Sequence, residues 1–104
     1  MYHTLRQNGY LPQNIAHINY NDAASHDSNP FKDKIYPSPS GPDVAEGCVI
    51  NYEGGDIHPG NIVNALVGSF FPEMNKDSIL FVYINANSGP GVIGLPDNGL
   101  LFVD

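Results

Sequence analysis

One apolar run dominates the pattern of hydrophobic and polar positions. Residues 79–84 read Ile-Leu-Phe-Val-Tyr-Ile, and Gly89-Pro90-Gly91 follows shortly afterwards. Six mostly β-branched or aromatic residues are too few for a typical helix, and the Gly/Pro cluster forbids its extension. The pattern therefore predicts a strand that is buried on both faces, as in a parallel sheet. Because α/β folds place their chemistry in the loops that follow such strands, residues 85–91 are the first candidate site.

Upstream, the pattern predicts a helix, a strand and a long loop. Residues 1–8 have helical spacing, with Met1, Tyr2 and Leu5 facing inward, and Gly9 stands where a helix stop favours glycine. Residues 14–20 alternate as a strand does, with one apolar face formed by Ala16, Ile18 and Tyr20. Residues 21–57 contain Asn, Asp, Ser, Pro and Gly at short intervals, which predicts a loop.

Downstream, two further elements surround the apolar run. Pro59 suits the first position of a helix and Gly68 suits its end. The apolar stripe of that helix comprises Ile62, Val63, Ala65 and Leu66. Residues 92–95 and 100–103 are apolar segments on either side of Pro96-Asp97-Asn98-Gly99, and Asn-Gly in that setting predicts a β-hairpin.

Length and charge restrict the class of protein. A chain of 104 residues allows one domain, and the elements above predict an α/β fold without a second domain. Eleven acidic and four basic residues give a net charge of −7, which argues against nucleic-acid and anionic-membrane partners. No apolar run reaches the roughly 18 residues of a membrane span. The single cysteine, Cys48, excludes an intrachain disulfide.

The candidate site carries little chemistry of its own. Residues 85–91 hold no acid, no base and no nucleophile stronger than Ser88. Cys48 lies before the apolar run and has no adjacent base in the sequence, so we expect it to be an ordinary small residue and not a nucleophile. No cofactor is predicted. No metal site is predicted either, because the four histidines match no zinc-binding spacing and four aspartates of the loop match no calcium-binding spacing. These residues are His3, His17, His26 and His58, and Asp22, Asp27, Asp33 and Asp43.

Several segments together resemble the legumain family of asparaginyl endopeptidases. The resemblance extends over essentially the whole chain, including the strand that begins at Asp77. The residues that carry it are 2–9 (Tyr-His-Thr-Leu-Arg-Gln-Asn-Gly), 20–22, 29–30, 41–47 (Gly-Pro-Asp-Val-Ala-Glu-Gly), 51–61 and 66–68. The catalytic subunits of GPI-anchor transamidases share parts of this pattern, but residues 41–44 are more similar to legumain.

The resemblance implies a caspase-like three-layer α/β fold that is incomplete in this chain. The family's first strand would precede Met1, and the strand with the nucleophilic cysteine would follow Asp104. Residues 1–104 would thus form a single partial peptidase domain with a C-terminal β-hairpin. The absent first strand would lie between residues 14–20 and 79–84, which we expect to be parallel. Self-association through the exposed strand edges is also expected.

The resemblance also implies that the catalytic machinery is altered. Where the family has Thr-Asp-His-Gly, whose histidine is the catalytic base, this chain has Asn85-Ala86-Asn87-Ser88. No catalytic residue is then intact, and only the turn at Ser88 and Gly89 would remain, on the oxyanion side of the cleft. The chain is therefore predicted to be an inactive homologue of peptidases that cleave after Asn. The alternative is a fragment of an active legumain-like or GPI-transamidase-like cysteine peptidase.

Partners and compartment follow from the resemblance alone. It implies a peptide or protein substrate, and an endolysosomal, vacuolar or secreted location. The first residues, Met-Tyr-His-Thr-Leu-Arg, lack the apolar core of a signal peptide, so the sequence assigns no compartment by itself.

Overall fold

The computed structural model describes residues 1–68 and 70–102. They form two units, Met1–Gly54 and Gly55–Asp104, and each is considered separately below. Among the described residues, no helix is long and apolar enough to cross a bilayer. In the same part of the chain, short 3-10 turns at Pro12–Asn14 and Gly54–Asp56 complement the helices and strands, whereas Pro96–Asn98 is a turn with non-helical backbone angles at Asp97.

The first unit begins with the predicted helix, α1, which spans Tyr2–Gln7. Gly9 ends it in the left-handed region at φ +91°, as its sequence position predicts. Tyr2 is buried and Leu5 is half-buried, so this inward face is confirmed. The inward orientation of Met1 is wrong: its side chain is exposed because the residue caps the helix and lies outside its first turn.

The predicted strand at residues 14–20 does not form. Only an isolated parallel bridge joins Ile18 to Tyr52, supported by a 3.1 Å bond from the Asn19 amide to the Tyr52 carbonyl. The predicted inward face is also wrong, because Ile15 is the buried residue and Tyr20 is exposed. A continuous strand needs a partner along its length, and this segment meets only a short stretch of loop.

The loop predicted for residues 21–57 is confirmed over residues 21–51, which contain no helix or strand, and it is followed by the bridge at Tyr52 and the 3-10 turn Gly54–Asp56. Two polar side chains organise it. The Asn29 amide group donates to the carbonyls of Ala24, Phe31 and Lys34 at 2.8–2.9 Å. An Asp43 carboxylate oxygen accepts from the amides of Ile35 and Ala45, at 2.9 and 3.0 Å. Side-chain bonds thus take the place of a regular backbone ladder.

The second unit begins with the predicted second helix, α2, which spans Pro59–Leu66. The His58 side chain caps it by accepting from the Asn61 amide, and Gly68 follows its end at φ +85°. The predicted apolar stripe is only partly buried. Ala65 is buried and Ile62 is half-buried, whereas Val63 and Leu66 are exposed.

The apolar run at residues 79–84 is the largest departure from the prediction. It is not a strand and it is not buried: Ile79 is 95% exposed, Phe81 72% and Tyr83 60%. The intervening residues Leu80, Val82 and Ile84 are less exposed, at 37–52%, so the alternation of an extended chain remains. A strand buried on both faces needs neighbours on both edges, and these residues form no backbone hydrogen bond to another described residue.

The C-terminal hairpin is confirmed. Strand β2, Val92–Gly94, pairs antiparallel with β3, Leu100–Phe102, and the turn between them holds Asp97 and Asn98 in the left-handed region. Val103, the last residue of the predicted strand, lies outside the described residues. A further strand, β1, spans Ser88–Gly89 and pairs antiparallel with β2, completing a three-stranded sheet. The fold is thus a small α/β structure whose sheet is antiparallel.

Replacing Gly94 with Ala is expected to destabilise this sheet. A Cβ at position 94 would lie 3.1 Å from the Asn87 carbonyl oxygen, which is a backbone atom and cannot rotate away. Overpacking of this kind typically costs about 1–3 kcal/mol. Gly55→Ala is the matched control, because its Cβ would meet nothing within 4 Å. Urea denaturation should show a lower midpoint for Gly94→Ala alone; equal midpoints would contradict the close approach.

Candidate functional site

The candidate site at residues 85–91 leads from the extended apolar run into β1. Its position is fixed by the sheet, since the Gly94 amide donates to the Asn87 carbonyl over 2.7 Å. Pro90 and Gly91 turn the chain back into β2, with Gly91 at φ +72°, which suits glycine at the third position of a tight turn. Residues 85–91 are exposed throughout. The site is therefore an open loop on a short sheet.

The register of β1 and β2 decides where the two amides of the predicted oxyanion turn point. The bond from Gly94 to Asn87 marks these residues as a hydrogen-bonded pair, and antiparallel pairs alternate. Ser88 and Ile93 are then a non-hydrogen-bonded pair, while Gly89 and Val92 bond each other. The Gly89 amide is consequently committed to β2, and the Ser88 amide points away from β2.

The side chains of this segment offer no proton acceptor of useful strength. Asn87 carries an amide and Ala86 a methyl group, and Ser88 is the sole hydroxyl between residues 85 and 91. An amide has no lone pair that accepts a proton near neutral pH. What the segment can do chemically is donate backbone and amide hydrogen bonds to a ligand.

Cys48, in the first unit, does have a base beside it, contrary to expectation. Its Sγ lies 3.5 Å from His3 Nε2 and 3.2 Å from the Val44 carbonyl oxygen. Burial raises the pKa of the Cys48 thiol. The sequence gives no signal for this pair, because 45 residues separate its members.

The other three histidines serve local structure. His17 Nδ1 lies 3.1 Å from the Val49 carbonyl oxygen, and His26 Nδ1 accepts from the Ser28 amide at 3.1 Å. His58 caps α2. Over residues 1–68 and 70–102, no three His, Cys, Asp or Glu side chains are grouped so that they could hold a metal ion.

The whole chain matches one protein family. The profile of the Peptidase C13 family covers residues 1–104. The chain belongs to the Peptidase C13 family. This confirms the resemblance to legumain and places the chain among the homologues of cysteine peptidases.

Individual relatives agree with this assignment. A vacuolar-processing enzyme of Vicia sativa is 32% identical, over 97% of this chain and 22% of the relative. A hemoglobinase of Schistosoma japonicum is 30% identical, over 95% and 25%. A legumain of Canavalia ensiformis is 30% identical, over 92% and 22%. The chain thus spans about a quarter of the length of the curated relatives that it matches.

The Asp43 carboxylate, which lies in the matched segment 41–47, makes the stability of the loop depend on pH. Hydrogen bonding from the Ile35 amide lowers the pKa of this carboxyl below 3.8, against an opposing effect of desolvation. A group whose pKa is lower in the folded state adds stability above its unfolded pKa and loses it as the pH falls. We expect the Ile35 amide to lose protection from hydrogen exchange as the pH falls below about 4. In Asp43→Asn that amide should show weaker, pH-independent protection; unchanged acid sensitivity would contradict the assignment.

Proposed function

We propose that this chain is a non-hydrolytic homologue of the legumain peptidases. In the family the reaction is peptide-bond hydrolysis after Asn, and the chain retains the segment that carries the catalytic base. The single observation behind the proposal is Asn87, which occupies the position of that base by resemblance. It lies between Ala86 and Ser88, neither of which replaces the missing group.

The chemistry of thiol peptidases explains why this substitution matters. A base must take a proton from a thiol with an ordinary pKa near 8.5 and return it to the leaving amine. An Asn side chain cannot accept that proton. Removing the base from comparable triads costs roughly 10⁴- to 10⁶-fold in turnover. The substitution alone is therefore sufficient to abolish useful hydrolysis.

Peptide binding is the function that the remaining geometry supports. The Ser88 amide points away from β2, so it is free of the β1–β2 ladder and can donate to a peptide carbonyl. By resemblance, Ser88 and Gly89 line the oxyanion side of the cleft. The sheet commits the Gly89 amide to Val92, so we assign this role to Ser88. A donor of this kind holds a substrate carbonyl without cleaving it.

A second proposal is that the chain is one segment of an active cysteine peptidase. The observation in its favour is that relatives are about four times longer than the matched region. The family's first strand and its nucleophile strand would then be supplied elsewhere in the assembled caspase-like domain. Asn87 favours the non-hydrolytic reading, because a shorter chain does not by itself change the base. A transcript that encodes a Glu-x-Cys strand after Asp104 would favour the second proposal.

Substrate and location follow from family membership. We propose a peptide or protein ligand and an acidic vacuolar or endolysosomal compartment, in line with relatives named vacuolar-processing enzymes. Fluorescent tagging of the natural gene product would test the location.

The activity test uses the purified chain with a fluorogenic peptide that contains Asn, between about pH 4 and 8. We expect no cleavage by the wild type. Asn87→His should also be inactive, since a base without its family thiol has nothing to deprotonate. Cys48→Ala is the control for the only thiol present. Wild-type turnover that disappears in Cys48→Ala would overturn the proposal and move the site to Cys48.

A further inference from the structure

The first unit brings a thiol and an imidazole together, and neither belongs to the candidate site at residues 85–91. Cys48 Sγ lies 3.5 Å from His3 Nε2, a distance suited to a hydrogen bond between sulfur and a ring nitrogen. The same sulfur donates to the Val44 carbonyl oxygen over 3.2 Å. Both side chains are half-buried, so small molecules can reach the pair. The sulfur therefore has two hydrogen-bond partners, the Val44 carbonyl oxygen and the His3 imidazole, and of these only the imidazole can act as a base.

Local structure holds the imidazole against the thiol. His3 lies on α1, and its ring meets the Tyr2 ring edge-on, with 5.8 Å between the ring centroids. Gly47 has φ +75° and lies beside the ring, because a Cβ built there would be 3.6 Å from His3 Cε1. The residue before Cys48 thus packs close to the imidazole. The contact is part of the packing between α1 and the loop.

We propose that Cys48 and His3 form a base-assisted thiol that exchanges with small-molecule disulfides. His3 Nε2 takes the proton from Sγ, and the thiolate attacks one sulfur of the disulfide R–S–S–R. A bond forms between Cys48 and that sulfur as the original S–S bond breaks. The leaving thiolate takes the proton from His3 and departs as R–SH. The product is a mixed disulfide on Cys48, and the disulfide is the only oxidant consumed.

The charges around the thiol explain why a base matters. Burial raises the pKa of Cys48, the Met1 amino group opposes this, and the Asp43 carboxylate raises it further. The thiol is then mostly protonated near neutral pH, and the unassisted reaction is slow. A second imidazole, His17, stacks on the Tyr2 ring, with 5.6 Å between the ring centroids. It contacts Val49 and not the sulfur, so it provides a matched control.

The test measures the rate at which Cys48 reacts with a chromogenic pyridyl disulfide between pH 5 and 10. If His3 assists, the wild type should show an added rate at pH values at which the thiol is still mostly protonated. In His3→Gln this added rate should fall by about tenfold or more, and the two curves should converge at high pH. His17→Gln should follow the wild type, and Cys48→Ser should not react.

A second measurement does not depend on how well the His3 variant folds. Near pH 7 the native wild type should react faster than the same chain unfolded in urea, although its thiol is half-buried. Mass spectrometry should find one adduct, on Cys48. Identical pH profiles for wild type and His3→Gln, an equal loss in His17→Gln, or a native thiol slower than the unfolded one would each overturn the proposal.

Discussion

Phe81→Glu should remain monomeric at concentrations at which the wild-type chain associates. Phe81 lies in the middle of the exposed run at residues 79–84, where six apolar side chains follow one another. Full burial of such a side chain is worth about 1.5–3 kcal/mol, and their backbone groups are open to pairing with another extended strand. A charge at the centre of that contact would have to be desolvated, so one substitution should raise the dissociation constant by at least tenfold.

Sedimentation equilibrium over a concentration series measures this effect. The control is Phe31→Glu, which changes another exposed phenylalanine, in a different unit of the chain. It should associate as the wild type does. A wild type that stays monomeric up to millimolar concentration would contradict the prediction, and so would equal association of the wild type and Phe81→Glu.

Asn29→Ala should produce the largest loss of stability among substitutions in the loop. The two hydrogens of its amide group are shared among three carbonyl oxygens, and its own oxygen accepts from the Phe31 amide at 3.1 Å. Each bond is worth about 1 kcal/mol net, so we expect the free energy of unfolding to fall by about 2–3 kcal/mol. Residues 24–34 have no helix or strand to replace these bonds.

Urea unfolding measures the change, and hydrogen exchange at the Asp33 and Lys34 amides locates it. Asn19→Ala is the control, because that side chain accepts a single bond, from the Asn21 amide two residues away. It should cost no more than about 1 kcal/mol. If both variants unfold at the same urea concentration, Asn29 does not organise the loop.

The parts of the fold that the sequence predicts are those decided by local chemistry. Gly9 and Gly68 follow the helix ends because glycine reaches left-handed backbone angles, and Asp97 and Asn98 close the hairpin because aspartate and asparagine tolerate those angles. These signals need no distant partner. The short β1 strand escaped prediction because two residues carry no recognisable alternation.

The two wrong strands fail for the opposite reason. Residues 14–20 and 79–84 have the composition of strands, but a strand exists only through bonds to a neighbour elsewhere in the chain. The buried face of the first segment also changed, to Ile15, because a single bridge to Tyr52 does not impose regular alternation on the residues around it. Composition predicts a preference for extended structure and cannot supply the partner.

The functional residues likewise include local features, which the sequence predicts, and contacts between distant residues, which it does not. The turn at Pro90 and Gly91 is local, so its place in the chain could be predicted from the sequence. The contact between His3 and Cys48 depends on how α1 packs against a loop 45 residues later, and no spacing rule describes it.

The role of position 87 is tested most directly in the longest natural product of this gene. Hydrolysis of an Asn-containing fluorogenic peptide is measured for the wild type and for Asn87→His, with an active legumain relative as the positive control. The wild type should show no turnover above background. If that product contains the family cysteine, Asn87→His should raise turnover by about 100-fold or more, the range expected for restoring a general base. Wild-type turnover that Asn87→His does not increase would show that hydrolysis needs no base at position 87, and would contradict the account.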